Sequence, residues 1–269
     1  MDTPSTGSMV TVRYLLSAAI TVVQRHTFLL TALSIFFLAI PSAIFIPSFQ
    51  ELRPDDLSGG PALAAFLSVV SSPAFWISAA AYQLVYSLFQ GAANWIVLTD
   101  LSGQTPELRP ILEHAVRAVP SLFGLGLVFL LTVLVGFALF VAPGVALATA
   151  WSLAGPALLG ERIGILQSLR RSWSLTKGGR WQILGALATP FVAYYLLLSL
   201  LDFLIAATAQ ENSGAYKILL GISIHTLGAF VALFLNVIVC CAYVRLRDAD
   251  RADLQSTARG TGRALPQYP

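Results

Sequence analysis

Residues 218–244 read ILLGISIHTLGAFVALFLNVIVCCAYV, an apolar run without a single Asp, Glu, Lys or Arg. A helix crosses the roughly 30 Å hydrocarbon core of a bilayer with about 20 such residues, and it satisfies its own backbone hydrogen bonds there. The run is longer than this minimum. It therefore predicts a transmembrane helix.

The whole chain has the same character, because 57% of its 269 residues are hydrophobic and only 11% are charged. This composition leaves too little polar surface to cover a soluble fold of this size. The net charge of +3 is spread among apolar runs without an aromatic stacking platform, so a nucleic-acid partner is not expected. The two cysteines, Cys240 and Cys241, are adjacent and imply no disulfide framework.

We predict an all-α, polytopic helical membrane protein with about six transmembrane helices. The apolar runs predict spans at 28–46, 74–98, 122–141, 144–159, 181–204 and 218–244. The fourth is the shortest and would cover only about 24 Å at helical rise, so it must lie in thinned bilayer, extend further, or be partly re-entrant. We expect residues 1–247 to form a single transmembrane domain and residues 248–269 a flexible cytoplasmic tail.

The basic residues predict the orientation, since connections rich in Lys and Arg stay on the cytoplasmic side. With both termini inside, every one of the 16 Lys and Arg residues except Arg53 and Lys217 falls in a cytoplasmic segment. The first apolar run begins too late and lacks a small-residue cleavage site, so it is not a signal peptide. We therefore expect an N-in/C-in topology.

Three polar segments between the spans show a helical period and predict interfacial amphipathic helices at 11–25, 107–119 and 165–177. The third has basic and apolar faces that suit the anionic lipids of a bilayer surface. The alternative is that these charges only enforce topology. The candidate anionic-lipid surface consists of Arg162, Arg170, Arg171, Lys177, Arg180, Trp173 and Trp181.

Residues 143–181, PGVALATAWSLAGPALLGERIGILQSLRRSWSLTKGGRW, resemble the membrane domain named for glycerophosphoryl diester phosphodiesterases. The shared features are Pro143 and Gly144, Pro156, and the run from Leu169 to Gly178. This chain differs in having Ala150 where many relatives carry a basic residue. The resemblance implies a multi-pass protein of the prokaryotic cytoplasmic (inner) membrane, in a family of unsettled role.

The sequence carries no catalytic motif, and the hydrolase domain that gives the resembling family its name is not present in it. The histidines, His26, His114 and His225, lack metal-ligand spacing, and no nucleophile elbow, phosphate-binding glycine loop or zinc motif occurs. We therefore expect no enzymatic activity, no metal and no cofactor.

Polar residues within the predicted spans form the candidate intramembrane site. Gln83, Ser87, Gln90 and Asn94 share one helical face of the second span, and His225 and Asn236 share one of the sixth. The two faces could line a polar cleft or simply hydrogen-bond the helices together. Asp202, near the end of the fifth span, could bind a cation or face water.

Two classes of function remain open on these observations. The first is a non-catalytic membrane module that organises or handles lipids, or assists a membrane or cytoplasmic protein partner. The alternative is a small permease or channel that uses the polar intramembrane site. The first is favoured because the sequence shows no inverted repeat or broken span pair of the transporter type.

Overall fold

A computed structural model describes residues 11–45, 71–139, 141–208 and 213–261. These residues are all-helical and contain no strand. The helices, in chain order, are α1 (Val12–Arg25), α2 (Thr27–Ser34), a π-helical turn (Ile35–Ala39), α3 (Ile40–Phe45), α4 (Pro73–Leu101), α5 (Leu108–Leu139), α6 (Val141–Trp151), α7 (Ala154–Gly160), α8 (Ile165–Leu175), α9 (Arg180–Thr208) and α10 (Gly214–Thr261).

Within the described ranges, five helical segments are long and apolar enough to cross a membrane, which indicates a membrane protein. They are Thr27–Ile44, Leu108–Thr132, Ala142–Gly160, Arg180–Thr208 and Gly214–Ser256. The predicted second span forms α4, which is 29 residues long but is not among the five. Its polar side chains, Gln83, Gln90 and Asn94 among them, lower its hydropathy.

The predicted fourth span, 144–159, is not one helix but two, because the chain leaves the helical path at Ser152 and Leu153 between α6 and α7. Pro156 lies one turn further on. It cannot donate the hydrogen bond that the Ser152 carbonyl would accept in a continuous helix, and its ring crowds that carbonyl. Pro156 therefore favours the break but does not suffice for it, since Pro120 and Pro190 lie inside continuous helices.

The predicted interfacial helix 107–119 and the third span are one continuous helix, α5, with Pro120 inside it. The boundary predicted from the change in composition was wrong here, since a single proline removes one hydrogen bond and bends a helix without ending it. The other two amphipathic segments form separate helices, α1 and α8.

Charged contacts bring the ends of several helices together at one end of the bundle, which we call the basic end. Arg25 and His26, at the end of α1, contact Asp100 at the end of α4 at 3.4 and 2.9 Å. Arg171 of α8 contacts Asp250 of α10 at 2.9 Å. Helix α10 continues to Thr261, so the expected flexible tail is helical up to that residue.

Candidate functional site

A cavity of about 1030 Å³ lies between α4, α5, α6, α7, α9 and α10. Its walls are mainly apolar, with Leu125 and Phe129 from α5, Leu187 from α9 and Val239 from α10. The broken fourth span contributes residues from both sides of its break, including Trp151 and Pro156. The cavity therefore lies inside the bundle, where the interrupted helix leaves room.

The cavity opens to the side of the bundle rather than toward one of its ends. Four of its lining residues on α9, Phe191, Val192, Tyr195 and Leu196, are 47–68% exposed. Leu130 of α5, which also lines the cavity, is 38% exposed. Because α5 and α9 are both long and apolar enough to span a membrane, this lateral mouth faces hydrocarbon when the protein is in a bilayer.

The polar members of the lining are few. Gln83, Gln90 and Asn236, all predicted from the sequence as site residues, lie on the cavity wall. Thr149 and Ser152 of the fourth span also line it, and each donates its hydroxyl hydrogen bond to a carbonyl of its own helix at 2.8 Å. An apolar chamber with a few amide groups and hydroxyl oxygens is the usual chemistry of a site for an apolar ligand.

The other members of the predicted polar stripe are buried beside the cavity. Ser87 donates to the Gln83 carbonyl of its own helix at 2.7 Å. The Cys240 thiol donates to the Asn94 side-chain oxygen at 2.9 Å and lies 3.9 Å from that of Asn236. The structure thus brings the polar faces of α4 and α10 together through Cys240. The Asn94 amide nitrogen is buried without a hydrogen-bond partner among the described residues.

His225 and Asp202 lie away from the cavity. Nδ1 of His225 is 2.9 Å from the hydroxyl of Ser42 in α3, and the Tyr216 hydroxyl donates to Asp202 at 2.7 Å. Neither residue lines the cavity, so the structure does not join them to Gln83 and Gln90. In the part of the chain that the structure describes, no group of three or more His, Cys, Asp and Glu side chains is placed to hold a metal ion.

The break in the fourth span is bridged by a side chain of the amphipathic helix α8. The Ser172 hydroxyl donates to the Ala150 carbonyl at 2.8 Å and accepts from the Leu153 amide at 3.1 Å. Thr176 also donates to the Ala150 carbonyl, at 3.3 Å. Both side chains are fully buried. Neither residue was predicted from the sequence as a site residue, although both lie in the run from Leu169 to Gly178 that carries the family resemblance.

Of the candidate anionic-lipid surface, Arg171 faces the bundle. Its guanidinium donates to Glu161 at 3.0 and 3.2 Å and to Asp250 at 2.9 Å. The Tyr243 hydroxyl donates to the same Glu161 at 3.2 Å. Partial burial works to lower the pKa of Arg171, but the hydrogen bonds and charges of both carboxylates outweigh it and raise that pKa. Arg171 therefore stays charged and ties α8 to α10.

The rest of this surface is more accessible. Arg162, Arg170 and Lys177 are exposed, and the Trp181 side chain is 82% exposed. Trp173 is 44% exposed, and the Arg180 guanidinium stacks over its ring at 4.1 Å. These six side chains leave a basic and aromatic surface beside the buried contacts of Arg171.

No protein-family model, no curated protein and no solved structure matches this chain.

Proposed function

We propose that this protein is a non-catalytic membrane module that takes the hydrocarbon chain of a lipid into its lateral cavity. The observation that carries the proposal is the mouth between α5 and α9, where exposed apolar side chains lead into a chamber of about 1030 Å³. A cavity of this shape exchanges its contents with the surrounding lipid.

Selectivity within the bilayer needs polar contacts, because lipid chains are as apolar as the side chains that line the cavity. Gln83, Gln90 and Asn236 provide amide groups on an otherwise apolar wall. An amide in hydrocarbon favours a ligand that carries a hydrogen-bonding group, such as an ester carbonyl or a hydroxyl. We infer that the preferred occupant is an acyl lipid whose polar linkage reaches these amides.

We further propose six membrane crossings, with both termini in the cytoplasm of a prokaryote. The contact between Asp100 and the end of α1 supports α4 as the sixth crossing, since it returns the chain to the basic end. Positive segments are retained on the cytoplasmic side, which favours the basic end as the cytoplasmic one.

The resemblance to the membrane domain of glycerophosphoryl diester phosphodiesterases remains our proposal for the family. The contacts of Ser172 and Thr176 support it, because they give two residues of the shared run a structural purpose in holding the broken span. On this reading these residues correspond to the membrane domain of that family, and the action on lipids that we propose for them is non-catalytic. Its exposed α8 residues, Arg170 and Lys177, then lie against anionic lipids of the inner leaflet.

Photo-crosslinking tests the proposal. The protein is reconstituted into nanodiscs that contain a phospholipid with a diazirine at mid-chain, irradiated, and digested for mass spectrometry. We expect adducts on the peptide that spans the break from Thr149 to Pro156, which no lipid reaches unless it enters the cavity.

A matched pair of variants on α9 provides the control for this experiment. Ala188→Phe fills part of the cavity, whereas Ala207→Phe adds the same ring at an exposed position outside it. The adducts at the break should fall in the first variant and persist in the second. Adducts confined to the outer faces of α5 and α9 in all three proteins would refute the proposal.

A permease is the second candidate, favoured by the amides in the cavity and by the broken fourth span that lines it. It requires water to reach those amides. Modification of Gln90→Cys by a water-soluble methanethiosulfonate reagent would support a permease. Protection from that reagent, combined with reaction with a membrane-soluble maleimide, supports the lipid module.

A further inference from the structure

A second cavity, of about 620 Å³, lies at the basic end of the bundle. It is formed by the end of α4, the beginning of α5, residues 159–163 after the broken span, and α10. It has no lining residue in common with the lateral cavity. The two cavities are therefore separate.

The lining of this second cavity is basic. Arg117, Arg162 and Arg247 contribute to it together with His114, and no lining residue is Asp or Glu. Of the nearby carboxylates, Glu161 binds Arg171 rather than an arginine of this cavity. Asp100 likewise binds Arg25 and His26. A cluster of arginines in a cavity whose lining contains no carboxylate attracts an anion.

The three arginines differ in how strongly their own chain engages them. Arg247 is held by Asp248 at 2.9 Å, and Arg117 is only 3.7 Å from Glu113. Arg162 has no hydrogen bond or ion pair with any residue in the described ranges. Its guanidinium is therefore the one most available to a ligand.

The backbone at Arg162 is unusual as well. Its φ of 52° makes it the non-glycine residue with positive φ in the described part of the chain. This left-handed conformation favours glycine, and a long side chain there is uncommon. The backbone conformation at this position favours glycine, yet the residue is an arginine. This is expected if the guanidinium is needed at the cavity.

The remaining lining defines the size and chemistry of the ligand. Trp95 stacks on His114 with ring centroids 3.5 Å apart and forms a flat wall. The hydroxyl-bearing residues Thr99, Ser102 and Ser121 also line the cavity. Arginine guanidinium groups pair with phosphate oxygens through two parallel hydrogen bonds, and hydroxyls can complete the shell.

We propose that this second cavity binds a phosphate monoester, carried either by a lipid headgroup or by a small soluble molecule. The site is independent of the proposed binding of lipid chains, because it uses other residues and another kind of recognition. Arg162 and Arg117 bind the phosphate oxygens, and the wall of Trp95 and His114 contacts the group that carries the phosphate.

The test is titration calorimetry on the full-length protein in phosphatidylcholine nanodiscs. The probes are dihexanoyl phosphatidic acid, glycerol 3-phosphate and inorganic phosphate, with dihexanoyl phosphatidylcholine as a probe that lacks a phosphate monoester. We expect binding of at least one monoester that weakens as NaCl is raised. Binding of the phosphatidic acid alone assigns a lipid headgroup, and comparable binding of glycerol 3-phosphate assigns a soluble ester; either outcome supports the proposal.

Variants separate the site from general electrostatic attraction. Arg162→Gly removes the guanidinium at a position whose backbone suits glycine, so loss of binding there is not loss of folding. We expect this variant and Arg117→Gln each to bind about tenfold more weakly or worse. Arg109→Gln, at a 91% exposed side chain outside the cavity, should leave binding unchanged.

Three results would overturn the proposal. The first is that neither dihexanoyl phosphatidic acid nor glycerol 3-phosphate binds. The second is that dihexanoyl phosphatidylcholine binds as tightly as they do. The third is that Arg109→Gln weakens binding as much as Arg162→Gly does. None of these results bears on the crosslinking at the fourth-span break, so failure of this site and failure of the lipid-chain cavity are distinguishable.

Discussion

Replacing Ser172 by alanine removes the side chain that bridges the break between α6 and α7. Its hydroxyl is fully buried, donates to the Ala150 carbonyl and accepts from the Leu153 amide. In the variant, the Ala150 carbonyl keeps its contact with Thr176 at 3.3 Å. The Leu153 amide, in a residue with no exposed surface, loses its partner.

The magnitude follows from these two contacts. A buried amide left unpaired costs about 1–3 kcal/mol, and loss of the second hydrogen bond adds about 0.5–1.5 kcal/mol. We therefore expect Ser172→Ala to lower the free energy of unfolding by about 2–4 kcal/mol. For a chain of this size such a change corresponds to a Tm lower by roughly 5–15 °C.

Thermal unfolding of the purified protein in detergent, followed by tryptophan fluorescence, measures the effect. Ser174→Ala is the matched control, because Ser174 is exposed and its hydroxyl bonds, among the described residues, only to the Arg171 carbonyl of its own helix. This control should change the free energy of unfolding by on the order of 0.5 kcal/mol, which corresponds to a Tm shift of about one or two degrees. Equal shifts in the two variants would refute the claim that α8 holds the broken span together.

Three other predictions concern the basic end, the helix packing and the topology. Arg171→Gln should lower the free energy of unfolding by about 1–3 kcal/mol because it removes the cationic partner of both Glu161 and Asp250. Arg170→Gln should change it by no more than about 0.5 kcal/mol. Denaturant titrations that rank the two variants otherwise would contradict the ion-pair assignment. Gly91→Ala places a Cβ 2.9 Å from the Ala115 Cα and should therefore lower the free energy of unfolding by about 1–3 kcal/mol. In Gly221→Ala the new Cβ meets nothing within 4 Å, so this variant should raise the free energy of unfolding by about 0.5–1 kcal/mol. If the two glycine variants change the free energy of unfolding in the same direction, the close approach of α4 and α5 is contradicted. An impermeant maleimide added to intact cells should label Gly214→Cys but not Gln104→Cys; the reverse pattern would exclude the proposed orientation, and the native cysteines are buried.

Hydropathy alone placed most of the long helices. The predicted segments 181–204 and 218–244 lie within α9 and α10, because an uninterrupted apolar run leaves the backbone little choice but helix in a bilayer. Hydropathy could not predict the break at Ser152 and Leu153. A hydropathy value averaged over a window of residues does not register that the backbone nitrogen of Pro156 lacks a hydrogen to donate. The bridge from Ser172 depends on a tertiary contact.

The candidate site was predicted only in part. Gln83 and Gln90 line the cavity, whereas Asn94 belongs to the same helical face but is buried against Cys240. Periodicity shows which residues share a face of a helix, but not which neighbouring helix or cavity each of them meets. It therefore could not predict that Gln83 and Gln90 line the cavity while Asn94 is buried. His225 was grouped with Asn236 on the same grounds, yet it lies beside Ser42 in the first span.

The second cavity was beyond prediction for a different reason. Its arginines come from α5, from the turn after α7 and from α10, and their convergence depends on how three distant segments pack. From the sequence, these arginines were interpreted as topology signals or as part of an anionic-lipid surface. The left-handed conformation of Arg162 has no signature in the sequence, because glycine is the residue expected there.

The central claim, that lipid chains occupy the lateral cavity, is tested most directly at Trp151, which lines it. A variant that keeps Trp151 and replaces the other four tryptophans by phenylalanine is reconstituted with phospholipids brominated at mid-chain, since bromine quenches indole fluorescence only on contact. Our account predicts strong quenching of Trp151 that decreases when Ala188→Phe fills the cavity. Trp151 fluorescence that is insensitive to brominated chains but quenched by aqueous iodide would contradict it.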